Sequence, residues 1–254
     1  MLEEITQNRA RLEEIRQARI DLAAAFRLAV VNQFHEGVCN HFSLALPGTT
    51  DRFLLNSYGY HFSEISASNL LVVDTEGNLV EGEGMVEPTA FYIHSRIHQS
   101  QPRARCILHT HMPYATALTM LKEGGRLEPA SQNAFRFYGQ IAYDDNYNGL
   151  VMDNTEGDRV VAALGDKKVL FLGNHGVIVI GESVAEAFDD LYYLERACQV
   201  QVLAMSTGRP LRHISHDLAL MTMQQIEADR AANAHHHFTA LKRLISLQDQ
   251  SYVN

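Results

Sequence analysis

The segment KVLFLGNHGVIVIG, residues 168–181, constrains the fold of this chain more than any other stretch. Two short apolar runs flank Asn174-His175-Gly176, and each has the length of one buried β-strand. Asn and Gly both tolerate the backbone angles of tight turns, so the segment predicts a hairpin of two buried strands. Strands of this kind need helices packed over both faces of their sheet.

Strand-like and helix-like patterns alternate along the rest of the chain. Strand patterns lie at 40–48, 52–57, 69–82 (itself a hairpin candidate), 105–109 and 139–145. Helical spacing of apolar residues lies at 17–34, 88–100, 113–121, 155–164, 183–208 and 216–247. We therefore predict an α/β fold with a central, mainly antiparallel sheet and helices on both faces. Residues 1–210 are expected to form the main domain, and 211–254 a helical extension that packs on it or on a neighbouring subunit.

The composition narrows the class of protein. Hydrophobic residues make up 46% of the 254 residues and charged residues 20%, as in ordinary globular proteins. No apolar run reaches the roughly 18 to 20 residues of a membrane span, and the charged N-terminus does not resemble a signal peptide. A formal net charge of −9 argues against nucleic-acid binding. We therefore expect a protein that acts on a small molecule, without nucleic-acid or membrane partners.

Cysteine usage favours a reducing compartment. Cys39, Cys106 and Cys198 are scattered and form no Cys-x-x-Cys pair, so neither a disulfide framework nor a thiolate zinc site is predicted. Cys106 lies within an apolar strand and is expected in the core. A cytoplasmic location is the simplest expectation.

Two histidines at the end of a predicted strand are candidates for metal ligands. His109 and His111 are two residues apart, so in a strand they point to the same side, roughly 6 to 7 Å apart. A catalytic zinc site takes about three protein ligands and keeps one position open. His175, in the turn of the hairpin, is the third candidate. The alternative is that these are buried histidines hydrogen-bonded to the backbone.

Other histidines have a structural interpretation. His235 to His237 lie in a helical stretch, where consecutive side chains face different directions, so a solvated helix face is predicted. His94 and His98 are four residues apart on a helix, a spacing that suits a metal. The same helix would pack Ile93 and Ile97 inward, and we favour a structural role for its histidines.

Six stretches between Arg19 and Gly208 carry a resemblance to a known family. In chain order they are NHFSLALPG, FLLNSYGYHFSEISASNLLVVD, PTAFYIHSRIHQSQPRARCILHTHMPYATAL, IAYDDNYNG, LFLGNHGVIVIGESVAEAF and LERACQVQ. They resemble the class II aldolase and adducin head-domain family, and the middle ones are closest to its adducin-type branch. The resemblance implies a three-layer αβα sandwich, usually assembled as a homotetramer with active sites at subunit interfaces. It also implies a divalent metal, commonly zinc with manganese as an alternative, held by His109, His111 and His175.

The chain departs from this family at the acid/base position. Sugar-phosphate aldolases of the family carry a catalytic Glu four residues before the residue that matches His94, and this chain has Ala90 there. Glu87, almost one helical turn earlier, is a candidate to replace it. The alternative is that Glu87 caps the start of the helix.

The positions that bind substrate phosphate in those aldolases also differ. They read Asn40-His41 and Pro88-Thr89 here, which favours an unphosphorylated substrate. His41 resembles a histidine that some decarboxylases of the superfamily place in this region, where it could donate a proton; alternatively, it only hydrogen-bonds within the sheet. Tyr143 resembles the tyrosine with which some aldolases protonate the leaving carbanion, although a packing role is equally consistent with its position.

The resemblance therefore implies a metal-dependent lyase, either an aldolase or a decarboxylase, that cleaves a C–C bond of a small hydroxy- or keto-acid without an organic cofactor. Its candidate acid/base residues are His41, Glu87 and Tyr143. Adducin heads share the fold and are not known as enzymes, so a non-catalytic oligomerisation module is the alternative. Ala90 favours the module, whereas the lack of a basic, disordered tail favours the enzyme.

Overall fold

The computed structural model describes residues 2–151 and 153–254 and contains one eight-stranded sheet. Its strands are β1 (His41–Ala45), β2 (Arg52–Leu55), β3 (Leu71–Asp74), β4 (Leu79–Glu81), β5 (Cys106–Thr110), β6 (Ile141–Asp144), β7 (Val169–Leu172) and β8 (Gly176–Gly181). Their order is β4-β3-β2-β1-β5-β8-β7-β6. Neighbouring strands are antiparallel, except for the parallel pair β6 and β7. The prediction of a mainly antiparallel sheet is confirmed.

Helices cover both faces of this sheet. They are α1 (Leu2–Val31), α2 (Pro88–Ser100), α3 (Pro113–Thr119), α4 (Gln132–Phe135), α5 (Asn154–Leu164), α6 (Val184–Met205), α7 (His216–Ala228) and α8 (Arg230–Ser246). On one face, α2 and α5 pack their apolar side chains against Ile107 and Ile178. On the other face, α1, α6 and α8 pack theirs against Phe42 and Leu108. The chain is therefore the three-layer αβα sandwich that the sequence predicts.

The hairpin of residues 168–181 forms as predicted, with His175 in the turn between its two strands. β7 and β8 pair antiparallel, with Leu172 opposite Gly176, and Asn174 adopts a positive φ of 56° between them. β8 also pairs antiparallel with β5, and Val177 lies opposite Thr110. The turn between β7 and β8 is therefore brought to the end of β5.

Two helical predictions differ from the structure in their bounds. The first helix begins at Leu2 rather than near residue 17. Residues 5–14 are exposed, so their helix carries no apolar period for the sequence pattern to reveal, although Leu, Glu, Gln and Arg are all good helix formers. The pattern at 216–247 is two helices, α7 and α8, separated at Asp229.

The C-terminal helices lie against the rest of the same chain. Phe238 and Ile245 of α8 belong to the core that α1 and α6 share. Lys242 of α8 also forms an ion pair with Asp21 of α1, with 2.5 Å between Nζ and Oδ1. The boundary predicted at residue 210 stays a prediction. No helix in the described part of the chain is long and apolar enough to span a membrane.

Candidate metal centre

The structure brings the three predicted metal ligands together. His109 is the last but one residue of β5, His111 directly follows the strand, and His175 lies in the turn just before β8. One nitrogen of each imidazole lies within 4.8 Å of the corresponding nitrogens of the other two. The Nε2 atoms of His109 and His111 are 3.1 Å apart. The sheet register explains this proximity, because β5 and β8 are hydrogen-bonded neighbours.

Hydrogen bonds on the far side of two rings fix the direction in which their lone pairs point. Nδ1 of His109 donates to the Val177 carbonyl at 3.0 Å, and Nδ1 of His111 donates to the Glu36 carboxylate. In neutral imidazoles the two Nε2 atoms therefore carry no proton, and their lone pairs face each other. Two lone pairs at 3.1 Å repel unless a cation lies between them, so this donor set fits a divalent metal ion.

Burial favours the neutral, ligand-competent form of His109 and His175. Burial and the neighbouring His111 lower the pKa of His175 to about 4. Burial, followed by His175 and His41, holds the pKa of His109 well below its usual value. Because a metal binds the deprotonated nitrogen, these rings need lose no proton to bind one at neutral pH.

Glu36 is the one residue of this centre that the sequence analysis missed. It lies in the loop after α1, 75 residues before His111, and no short motif links the two. Its carboxylate orients His111 as such partners orient metal-bound histidines in many proteins.

Glu36→Gln is expected to weaken zinc binding by about 10- to 100-fold while leaving the fold intact. The amide removes the charge that stabilises the Nδ1–H donor of His111. Zinc affinity is measured by competition with a chromogenic chelator. Glu76→Gln, an exposed site in the turn between β3 and β4, is the control. Equal affinities for the two variants would show that the Glu36 contact does not tune the centre.

The centre opens into a cavity of about 350 Å³. Besides the three histidines, the wall includes Cys39, His41, Tyr58, Glu87, Thr89, Ile93, Tyr147, Gly149, Leu150 and Val151. None of these described lining residues is Lys or Arg. The wall therefore combines a few aliphatic side chains with imidazole, hydroxyl and carboxylate groups.

The structure places His41 beside the metal ligands. His41 lies opposite His109 in the register of β1 and β5, and the two rings stack with centroids 4.7 Å apart. Its Nδ1 is 2.7 Å from Nε2 of His94. Burial, reinforced by His175 and His111, lowers the pKa of His41 to about 3. His41 is thus a neutral side chain in the cavity wall.

Glu87 lies at the same cavity and also caps α2. Its carboxylate accepts hydrogen bonds from the Ala90 amide, at 2.6 Å, and from the Thr89 hydroxyl. Ala90 itself is buried in an apolar cluster with Phe53, Leu55, Leu71 and Val73. The position that carries the family's catalytic Glu therefore faces apolar side chains in this chain.

Tyr143 is not brought to this cavity within one chain. It lines a separate cavity of about 450 Å³. Its hydroxyl accepts a hydrogen bond from the Leu127 amide at 3.0 Å, and the guanidinium of Arg126 lies 4.1 Å from its ring centroid. Burial raises the pKa of Tyr143 to about 12. Its placement supports packing, and its catalytic role stays a prediction.

The five other histidines considered in the sequence lie on α2 and α8. His94 and His98 face inward from α2 and hydrogen-bond to Ser43 of β1. His235 and His236 are exposed on α8, as predicted, whereas His237 pairs with Asp189 of α6 at 2.7 Å. Cys106 is buried in the core, which confirms its predicted place.

Known proteins resemble this chain over most of its length. The family described as the class II aldolase and adducin N-terminal domain matches residues 20–202. A protein of Caulobacter vibrioides, whose name assigns it to aldolase class 2, is 40% identical over 194 residues, which cover 76% of this chain and 74% of that protein. Alpha-adducin of Rattus norvegicus is 36% identical over 197 residues, which cover 76% of this chain and 26% of the adducin.

A solved structure agrees with these sequence matches. L-fuculose 1-phosphate aldolase from Glaciozyma antarctica PI12 is 27% identical, with a TM-score of 0.83 and coverage of 94% of this chain and 92% of that one. The matched range of residues 20–202 contains every candidate site residue described above. This chain therefore belongs to the class II aldolase and adducin N-terminal domain family.

Proposed function

We propose that this protein is a divalent-metal-dependent lyase that cleaves a C–C bond of a small, unphosphorylated hydroxy- or keto-acid. The observation that carries the proposal is the cluster of His109, His111 and His175 at the wall of a cavity. These three residues would hold the ion, with zinc as the first choice and manganese as the alternative. A bound divalent ion supplies Lewis acidity, which stabilises negative charge as a C–C bond breaks.

The cavity wall supports this choice of substrate. A volume of about 350 Å³ suits a small acid. Without Lys or Arg among the described lining residues, this part of the chain offers a phosphate dianion no cationic partner. Ile93, Leu150 and Val151 supply the apolar part of the wall, against which the carbon chain of a small acid can pack.

Two residues of the wall are proposed to contact the reacting acid. Glu87 contributes the single carboxylate among the described lining residues, and its hydrogen bonds to Ala90 and Thr89 hold it in one orientation. We assign it the acid/base role that the family's Glu performs elsewhere, because Ala90 cannot. His41 is a further polar group of the wall, with its ring stacked on that of His109. The proposal does not use Tyr143.

The proposed assembly is a cytoplasmic homotetramer with active sites at subunit interfaces. Tyr147 and Leu150 support an interface beside the cavity, because both line it and are 55% and 72% exposed in the single chain. The three cysteines support a reducing compartment, since all are unpaired.

The second candidate function is a non-catalytic assembly module of the adducin type. Ala90 favours it, because an apolar cluster occupies the position of the family's acid/base Glu. The similarity to rat alpha-adducin is consistent with it as well. The two candidates differ in whether metal binding is accompanied by turnover.

The metal content of the purified chain tests the proposal. Wild type is expected to hold about one ion per chain by elemental mass spectrometry, and His175→Ala to lose it. His236→Ala, an exposed histidine on α8, is the control and is expected to retain the ion. Metal-loaded wild type is then screened with hydroxy- and keto-acids for C–C cleavage. A chain that holds no metal after incubation with zinc or manganese would refute the lyase, and loaded protein without turnover would favour the module.

A further inference from the structure

Four side chains behind the cavity wall form an unbroken line of hydrogen bonds. It runs from His98 through Ser43 and His94 to His41, so that it alternates between α2 and β1. The distances are 2.8 Å from His98 Nε2 to Ser43 Oγ, 2.5 Å from Ser43 Oγ to His94 Nδ1, and 2.7 Å from His94 Nε2 to His41 Nδ1. We call these four residues the relay. The proposed function above uses only its last member.

A backbone carbonyl fixes the direction of the relay at its far end. Nδ1 of His98 is 2.9 Å from the Ala104 carbonyl oxygen. A carbonyl can only accept, so the proton of His98 must reside on Nδ1. A neutral imidazole has one such proton, and Nε2 of His98 is therefore an acceptor. Ser43 consequently donates its hydroxyl proton to His98.

The donor and acceptor of each further hydrogen bond up to the cavity are then fixed as well. Because its proton points to His98, the Ser43 oxygen accepts from Nδ1 of His94. Nε2 of His94 is then without a proton, and it accepts from Nδ1 of His41. Nε2 of His41 is left as an unprotonated acceptor. It hydrogen-bonds to no residue that the structure describes, and His41 lines the cavity.

Burial keeps the relay neutral, as this assignment requires. His94 is fully buried, and Ser43 is as well. Burial lowers the pKa of His98 to about 4, against a smaller opposing effect of the Ala104 carbonyl. Burial also holds the pKa of His94 well below its usual value. Each ring therefore carries a single proton near neutral pH.

We propose that this relay makes His41 Nε2 a fixed hydrogen-bond acceptor in the metal cavity, so that the site selects a ligand whose hydroxyl donates to it. His41 is then a specificity residue, and Ser43, His94 and His98 are positioning residues. The identity of the ligand as a small acid rests on the proposed function. Within that class, the proposal names a hydroxy-acid in preference to the matching keto-acid. This polarity is opposite to the proton-donor role that the sequence suggests for His41.

Nitrogen NMR of the histidine-labelled protein, without metal and again with zinc, tests the tautomer directly. Nδ1 of His41 is expected to carry the proton and Nε2 to show the shift of an unprotonated nitrogen. In Ser43→Ala the line is broken, and the two His41 shifts are expected to move towards a mixture of tautomers. Ser43→Thr keeps the hydroxyl and should restore the wild-type pattern. A proton on Nε2 of His41 in wild type would overturn the proposal, whatever the outcome of the metal and turnover experiments.

Ser95→Ala is the matched control for these variants. Ser95 is also a buried hydroxyl, on α2, but its Oγ has no hydrogen-bond partner among the described residues. The Ser95→Ala variant is expected to leave the nitrogen shifts of His41 unchanged. Circular dichroism and urea midpoints show whether each variant is folded. If Ser43→Ala fails to fold, His98→Leu, whose side chain can neither donate nor accept, interrupts the same line from its far end.

Ligand selection is measured by calorimetry with lactate and pyruvate on the zinc-loaded chain. Wild type is expected to prefer lactate by about tenfold, the effect of one hydrogen bond gained in place of an unmatched acceptor. Ser43→Ala should lose most of this preference, and Ser95→Ala should keep it. A wild type that prefers pyruvate, binds both equally or binds neither would overturn the selection of a hydroxyl donor.

Discussion

Gly176→Ala is expected to weaken metal binding strongly and to destabilise the fold, because this position has no room for a Cβ atom. A methyl there would lie 2.5 Å from the Thr110 carbonyl oxygen and 2.8 Å from Cδ2 of His111. Both distances are shorter than any van der Waals contact, and the first involves backbone that cannot rotate away. β8 must therefore separate from β5, which also moves His175 away from His109 and His111.

The two consequences of Gly176→Ala are measured separately. Overpacking of this kind is expected to lower the free energy of unfolding by about 1 to 3 kcal/mol, and misplacing a ligand should weaken zinc binding by about 100-fold. Urea unfolding and zinc competition report the two effects. Gly139→Ala is the control, since its methyl would enter open space at a backbone φ of 72° and reports only backbone strain. A Gly176 variant with wild-type zinc affinity would show that the close packing of β5 and β8 does not set the site.

The three metal ligands could be found from the sequence because their local patterns are clear. Strand periodicity places His109 and His111 on one side of the chain, and the apolar runs around His175 mark a turn between buried strands. The sequence alone left open whether the turn reaches the end of β5. Pairing of β5 with β8 decides this, and pairing of distant strands is a property of the whole sheet.

The contacts that the sequence could not predict join residues that are far apart in the chain. Glu36 reaches His111 from a loop after α1. Ser43 contacts His94 and His98 only because α2 packs on the face of β1 that also presents His41. A serine in a strand and two histidines on a helix have many structural roles, so their local patterns could not predict a shared line of hydrogen bonds.

Ion pairs attach the C-terminal helix α8 to α6. Arg230 begins α8, and its guanidinium lies 2.7 Å from Oδ2 of Asp190 and also pairs with Glu186, both on α6. Asp190 is only 2% exposed. Removing the cation leaves these carboxylates short of a partner in a site with little water, although Arg136 still reaches Asp190 at 3.2 Å. A buried charge without its partner is strongly destabilising.

Arg230→Met is therefore expected to lower the free energy of unfolding by about 3 kcal/mol in urea denaturation. Arg243→Met, at an exposed position on the same helix, should change it by less than about 0.5 kcal/mol. Because α8 shares its core with α1 and α6, one cooperative transition is expected for both variants. A separate early transition in Arg230→Met would instead mean that the helices beyond residue 210 unfold on their own. In that case, α7 and α8 would be a separate folding unit that the ion pairs of Arg230 attach to the main domain.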